Sequence, residues 1–280
     1  MNGTREIDLN SDVGEAWGVF PAPQQVWRAE WERGDTEPAS EQPLTGSAIT
    51  GVLRQLSSVN LACGMHAGDP LSIQKYLAQC VSLGLGIGAH PSYPDLLGFG
   101  NRSMALPPQE LVAVIQYQLA ALDGLTRLAG GSLQHVKLHG ALYHDAGQDP
   151  GVAVSVVKAV QEYDSSLLIY GMPDTQLHQE TERAGLKFIR EGFPDRTYLP
   201  SGRLKPRSLS GALITRPNDI AAQGASLARG TVLAEGGVQI EVQIDTLCLH
   251  IDTPGVPQGL ALLREQLLNG GTVIRRPSGM

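Results

Sequence analysis

Seven short apolar runs most narrow the folds open to this chain: they alternate with stretches of helical period, and four of them lead into polar, ionisable segments, at 8–15, 60–70, 87–102 and 138–145. The runs are Glu6–Asn10, Ser58–Cys63, Leu85–Ala89, Leu133–Leu138, Leu167–Tyr170, Lys187–Glu191 and Thr246–Ile251. Between them lie helices with readable ends. Asp69-Pro70 supplies an N-cap and a first-turn proline, Ile73, Leu77 and Val81 an apolar stripe, and Gly84 a C′ glycine. Asp149-Pro150 repeats the start signal ahead of Val152, Val156, Val157 and Val160, and a last helix runs from near Pro257 through Leu260, Leu263 and Leu267 to Gly270-Gly271. Strand and helix in alternation imply a parallel sheet wound by right-handed crossovers. Seven units predict an irregular parallel β/α barrel, one short of the common eight, as a single α/β domain over residues 1–280. The length of 280 residues and the 42% hydrophobic content suit that size class. Residues 19–46 break the rhythm with four prolines and with Trp27 and Trp31, just after Trp17. A surface excursion with a short amphipathic helix is expected there; a lid or partner-docking patch is the functional alternative.

Charge and cysteine usage exclude several classes. A net charge of −7 and no cluster of lysines or arginines leave no electrostatic footprint for nucleic acid. The opening MNGTREIDLN has no apolar core for a signal peptide, and no stretch approaches the roughly 20 apolar residues of a membrane span. Cys63, Cys80 and Cys248 are odd in number and widely spaced, without a C-x-x-C pair. A reduced, cytoplasmic protein is expected.

Side chains along a strand alternate between faces. Asp8, Asn10 and Asp12 therefore share one face of the first strand, opposite Ile7 and Leu9. Ser58, Asn60, Ala62, Gly64 and His66 align if the second strand extends; Gly86, Gly88 and His90 align in the third, and His135, Lys137 and His139 in the fourth. Thr246, Cys248, His250 and Asp252 line up in the last. A parallel strand covered by helices is normally apolar on both faces, so the polar face must look into a wet or reactive barrel interior. One histidine at a strand end is commonly a hydrogen-bonded structural group. His66, His90, His139 and His250 with Asp12 and Asp252 make that reading harder for all at once. Lys137, in mid-strand, needs a counter-charge such as Asp8 or Asp12, or an anionic ligand. His135 and His144 are weaker candidates, and His178 reads as a solvated helix residue. The glycines Gly84, Gly86 and Gly88 match no dinucleotide fingerprint, and no Walker A loop is present.

The segments DLNSDVGE, VNLACGMHAGDP, IGAHPSYPDLLGFGNR, VKLHGALYHD, EGFPDRTY with GRLKPRSLSGALI, and DTLCLHIDTP occur in this order. From about Ile7 to Leu268 they resemble the LamB/YcsF family, whose assigned activity is that of the A subunit of 5-oxoprolinase. The resemblance implies a seven-stranded barrel related to the glycoside hydrolase and polysaccharide deacetylase barrels. It also implies ATP-dependent opening of 5-oxoproline to L-glutamate, with Mg2+ and with two partner subunits, B and C. Ser11, Leu138, His144 and Pro194 depart from the family pattern, and the excursion is longer than the family's segment there. By alternation Ser11 and Leu138 point away from the polar face.

Lactam opening needs an activated carbonyl, a nucleophile, a base and an acid for the leaving nitrogen. Asp12 is the expected base, with His66, His90 and His139 binding or polarising the reacting groups. Lys137 with Arg102 is expected to neutralise carboxylate or phosphate charge, and Asp195-Arg196 with Arg203 to clamp the substrate carboxylate. Asp8, Asn10, Asn60, His250 and Asp252 complete the expected binding residues. With no nucleotide motif in the chain, ATP chemistry is expected to be shared with or supplied by the partners. If the barrel holds a divalent metal, Asp12, His66 and His139 are the ligands expected. Two alternatives stay open: a metal-dependent deacetylase or amidohydrolase acting alone, and a non-catalytic binding component. Self-association into a homo-oligomer stays open as well.

Overall fold

The computed structural model describes residues 5–15 and 47–278. The excursion at 19–46, with Trp27 and Trp31, and Trp17 before it lie outside those residues. The described elements, in chain order, are β1 (Glu6–Val13), α1 (Ser47–Leu53), β2 (Ser58–Ala62), α2 (Pro70–Ser82), β3 (Gly86–His90), α3 (Pro108–Leu128) and β4 (Leu133–Lys137). Next come α4 (Gly140–Gln148), α5 (Pro150–Tyr163), β5 (Leu168–Gly171), α6 (Gln176–Arg183), β6 (Phe188–Gly192) and α7 (Pro217–Arg229). The chain finishes with β7 (Thr231–Leu233), β8 (Gln239–Glu241), β9 (Thr246–Cys248), α8 (Val256–Asn269) and β10 (Val273–Ile274). The main sheet has the order β10-β1-β2-β3-β4-β5-β6-β9, and a further β1–β9 pairing returns the order to its start. The fold is thus the expected irregular seven-stranded parallel β/α barrel, with β10 as an additional short strand on β1. Strands β7 and β8 form a separate antiparallel pair that the periodicity did not signal.

The helix ends read from sequence are the ones the chain uses. Asp69 accepts from the Leu71 and Ser72 amides, both at 3.1 Å, and Asp149 from those of Gly151 and Val152 at 2.7 and 3.1 Å. Each thereby satisfies two of the donors a helix start leaves open. Gly84, at φ +69°, follows the last residues of α2. The buried stripe of α2 is Ile73, Leu77 and Cys80, with Val81 half-buried. The long helix α3 was not singled out in the sequence, although Leu111, Ile115, Leu119 and Leu122 make a buried i, i+4, i+8, i+11 stripe along it.

Contacts group the chain into two compact units, one from residues 1–11, 41–58 and 189–277 and the other from 12–40, 59–188 and 278–280. In the first, β1 pairs with β10 over Glu6 and Ile7 and then with β9 over Asp8, Leu9 and Asn10, and β6 pairs with β9. Helices α7 and α8 pack against each other through small residues. A Cβ on Gly224 would stand 2.6 Å from Leu263 Cδ2, and one on Gly259 would stand 2.9 Å from the Cβ of Ile220. Along β1 and β9, Ile7, Leu9 and Leu247 are buried on one face. The other face buries a polar network. Asp8 accepts from the hydroxyls of Ser57, Ser58 and Thr246 at 2.6, 2.7 and 2.7 Å, and Asn10 donates to Thr246 Oγ1 at 2.7 Å and to Glu191 at 3.3 Å.

The second unit holds most of β2, β3, β4 and β5, with α2 to α6. Val59, Leu61, Ile87, Ala89, Val136 and Ile169 form its buried apolar face. The opposite face carries Asn60, His135 and Lys137. Gly88 explains how a bulky imidazole fits there: a Cβ on that glycine would lie 2.0 Å from His135 Nε2. The glycine run that matches no nucleotide motif therefore makes room for a side chain on the neighbouring strand. His135 stacks on Tyr170 at a ring separation of 4.0 Å and meets Asn60 Oδ1 at 2.7 Å.

Candidate functional site

Within the second unit the ends of β1 to β4 bring Asp12, Glu15, His66, His90, Lys137 and His139 together. Lys137, at the end of β4, is almost wholly buried, and its Nζ meets Asp12 Oδ1 at 2.7 Å. The same oxygen accepts from Asn60 Nδ2 at 2.8 Å. The counter-charge that the buried Lys137 demands is thus Asp12, next along the polar face of β1 after Asn10. Asp12 Oδ2 faces His90 Nε2 at 3.5 Å.

Next to this pair lie three imidazoles and a carboxylate. His90 Nδ1 meets the Lys137 carbonyl at 2.7 Å, and His139 Nε2 meets that of Phe99 at 2.8 Å. A carbonyl only accepts, so both nitrogens carry hydrogen, and in neutral rings the lone pairs sit on His90 Nε2 and His139 Nδ1. Those two atoms are 3.0 Å apart. Glu15 Oε1 lies 3.2 Å from His139 Nδ1, 3.3 Å from His66 Nε2 and 3.9 Å from His90 Nε2. The His66 ring stacks on His139 with centroids 3.7 Å apart, and its Nδ1 is buried without a hydrogen-bond partner among the described residues. Burial and the neighbouring His139 hold the His66 pKa down at about 3, against the upward pull of Glu15, so its ring is neutral. Burial would raise the Glu15 carboxyl, but the neighbouring His139 and His66 outweigh it and hold it below the usual carboxylate range.

Two features that shape this site went unread in the sequence. Strict alternation assigns Glu15 to the apolar side of β1, because it differs in parity from Asp8, Asn10 and Asp12. Gly14, at φ +76°, breaks that parity and turns Glu15 toward the histidines. Phe99 is the other. It has φ +54° and precedes Gly100 at φ +69°, an uncommon conformation for a residue with a side chain. Its carbonyl anchors His139, while its ring packs edge-on against both His66 and His139. A Cβ on Gly100 would come within 2.8 Å of His139 Cδ2 and 3.0 Å of His66 Cβ. Gly100 of the GFGNR segment is therefore a steric requirement of the cluster.

Other expected site residues are placed differently. His66 does not lie on an extended β2: the strand ends at Ala62, and a turn closed by the Gly64 amide on the Ala67 carbonyl at 2.8 Å brings the histidine in. Arg102 is mostly solvent-exposed and its guanidinium is engaged by Asp95, whose carboxyl that hydrogen bond holds below its usual range. Its charge is already matched rather than shared with Lys137. His144 is exposed on α4, and His178 lies on α6 stacked on Phe188 and paired with Glu182.

In the first unit, Asp8 and Asn10 belong to the buried network described above, and Glu191, not anticipated from sequence, belongs with them. Asp195 is buried and meets His250 Nδ1 at 2.8 Å. Burial would raise the Asp195 carboxyl, yet His250, Arg207 and Arg196 together hold it below its ordinary value. Arg196 is buried and donates to the Lys205 carbonyl at 2.7 Å, whereas Arg203 is exposed. Strand β9 ends at Cys248, so Asp252 stands on an exposed turn rather than in line with Thr246. Ser11 Oγ donates to the Leu249 carbonyl, and in the second unit Leu138 is buried.

The model of the LamB/YcsF family matches residues 46–280. A protein of Methylococcus capsulatus named as the A subunit of 5-oxoprolinase is 40% identical over 98% of this chain and 97% of its own length. One of the same name from Chloroflexus aggregans is 39% identical over 97% and 98%. The crystal structure of the lactam utilization protein from Thermus thermophilus matches with a TM-score of 0.82 at 36% identity, covering 96% of this chain and 99% of that one. Among the described residues, no helix is long and apolar enough to cross a membrane.

Proposed function

The chain belongs to the LamB/YcsF family, and from that premise we propose that it is the lactam-opening component of an ATP-dependent, multi-subunit 5-oxoprolinase. The observation that carries this reading is the near full-length likeness to proteins named as the A subunit of 5-oxoprolinase, joined to a buried set of groups suited to acyl chemistry. An unstrained lactam is a poor electrophile. Transfer of the ATP γ-phosphoryl group to the lactam oxygen, releasing ADP, turns its carbonyl carbon into a good one. Water then adds to that carbon and the C–N bond breaks, the nitrogen taking a proton to become the amino group. A second water hydrolyses the acyl phosphate to carboxylate and phosphate.

The site supports specific roles in this scheme. The Lys137 ammonium and the Asn60 amide orient the Asp12 carboxylate, which acts as base toward water. The imidazoles of His90 and His139, each with its outer nitrogen fixed by a backbone carbonyl, bind or polarise the reacting groups through their inner nitrogens, and the proton that Asp12 takes from water goes to the leaving nitrogen. ATP and Mg2+ are supplied with partner subunits B and C, which complete the enzyme.

The test is glutamate release from 5-oxoproline by this chain mixed with its two partner subunits, with and without ATP and magnesium. Glutamate formed only in the complete mixture is the expected result. No glutamate while the mixture hydrolyses ATP would overturn the reading.

A further inference from the structure

Three nitrogen donors and one carboxylate converge in the second unit. The Lys137 ammonium beside them lies against Asp12 at 2.7 Å. The backbone carbonyls of Lys137 and Phe99 fix the hydrogens of His90 and His139 on their outer nitrogens, so two lone pairs face each other 3.0 Å apart. Glu15 Oε1 adds an anionic donor 3.2 Å from one of them. Such an arrangement is repulsive unless a cation sits in it. A proton on His139 Nδ1 would lie between His90 Nε2 and Glu15, whereas a divalent ion engages the whole set of donors at once. Donor atoms about a tetrahedral ion with bonds of about 2.1 Å stand about 3.4 Å apart. The separations of 3.0, 3.2, 3.3 and 3.9 Å among these donors bracket that value.

We propose that Glu15, His66, His90 and His139 form a binding site for one divalent transition-metal ion of the zinc class. Three imidazoles and one carboxylate suit zinc, cobalt or nickel and are a poor set for magnesium or calcium, which take oxygen. Histidines whose outer N–H groups are held by carbonyls are the customary support of such ions. His90 and His139 are perpendicular to one another and, with Glu15, form the preset part of the site. His66 lies flat on His139 and turns its ring about Cβ–Cγ to join as the fourth ligand. Its unpartnered, buried Nδ1 ties it to no competing hydrogen bond among the described residues. Asp12 stays on Lys137 and is not a ligand, contrary to the set expected from sequence. The proposal does not depend on which substrate the chain acts on.

The test uses the full-length, tag-free chain, stripped with a chelator and titrated with Zn2+, Co2+ and Mg2+ by calorimetry, with the visible spectrum of the Co2+ form as a second readout. One Zn2+ or Co2+ per chain is expected, with nitrogen-donor ligand-field bands and no comparable Mg2+ binding. Glu15→Gln and His139→Asn are each expected to weaken binding by about 10-fold or more, while exposed His144→Gln leaves it unchanged. Should a variant fail to fold, the Zn2+-induced rise in the melting temperature of the unaltered chain, absent with Mg2+, still reads the site. Absence of a stoichiometric Zn2+ or Co2+ ion, equal binding by Glu15→Gln and His139→Asn, or loss of binding in His144→Gln would each overturn the proposal.

Discussion

Replacing Lys137 with methionine removes one half of an ion pair whose lysine side chain is 3% exposed and whose aspartate side chain is 10% exposed. Methionine fills nearly the same volume, so little of the effect is cavity formation. What remains is Asp12, a carboxylate with the Asn60 amide still donating at 2.8 Å but without its ammonium. Breaking a buried pair in this way costs about 3–5 kcal/mol. For a domain of this size that corresponds to a fall of roughly 6–20 °C in melting temperature, at about 2–4 °C per kcal/mol. Replacing Asp12 with asparagine in the same chain removes the stranded charge, so the double variant melts above Lys137→Met alone. A thermal double-mutant cycle on the single and double variants reads the coupling directly. A Lys137→Met variant that melts within about 2 °C of the parent, or effects of the two changes that simply add, refutes the paired-charge reasoning. On the proposed roles of Asp12 and Lys137, turnover is expected to be lost in all three variants, which separates the stability argument from the catalytic one.

Gly88→Ala would place a Cβ 2.0 Å from His135 Nε2, and overpacking of that kind lowers stability by about 1–3 kcal/mol or more; a melting temperature equal to the parent's contradicts the room-making role given to Gly88. Gly224→Ala puts a Cβ 2.6 Å from Leu263 Cδ2 where α7 and α8 meet, and is expected to destabilise by a similar amount; equal denaturant midpoints speak against that close approach. Asp195 has a carboxyl depressed below its unfolded value. Its stabilisation is therefore complete above the unfolded pKa of about 4 and is lost as pH falls through the folded value. Melting curves from pH 7 down to 3 are expected to show the gap between the parent and Asp195→Asn shrinking with acid, and a gap that widens is the contrary result.

The barrel was legible because its signals are local: β-period runs, Asp-Pro helix starts and glycine stops each depend on a few adjacent residues. Family membership was legible for the same reason, through ordered motifs along the chain. Much of the site was also readable, since Asp12, His90, Lys137 and His139 sit at or near strand ends where alternation applies. Glu15 was not, because one left-handed glycine shifts the parity by a residue, and periodicity does not register a single φ. His66 was anticipated on an extended strand and arrives instead through a turn. Asp8 and Asn10 share the polar face as expected, yet they bond to hydroxyls and to Glu191 from distant parts of the chain, which no local pattern encodes. Arg102 looked available until Asp95, seven residues earlier, proved to hold it. A sequence shows which groups are chargeable; which charges are already matched is settled by tertiary contacts.

The carbonyl anchors of His90 and His139 also give the site a spectroscopic voice. Both ring N–H protons are enclosed, hydrogen-bonded at 2.7 and 2.8 Å, and shielded from exchange with water by a surrounding that includes Phe99 and the buried end of β4. Protons held in this way resonate far downfield of the amide envelope and persist long enough to be seen. Because each reports on the ring whose opposite nitrogen faces Glu15 and its neighbours, two isolated proton signals would follow events at the centre of the cluster from within, without any label or added chromophore.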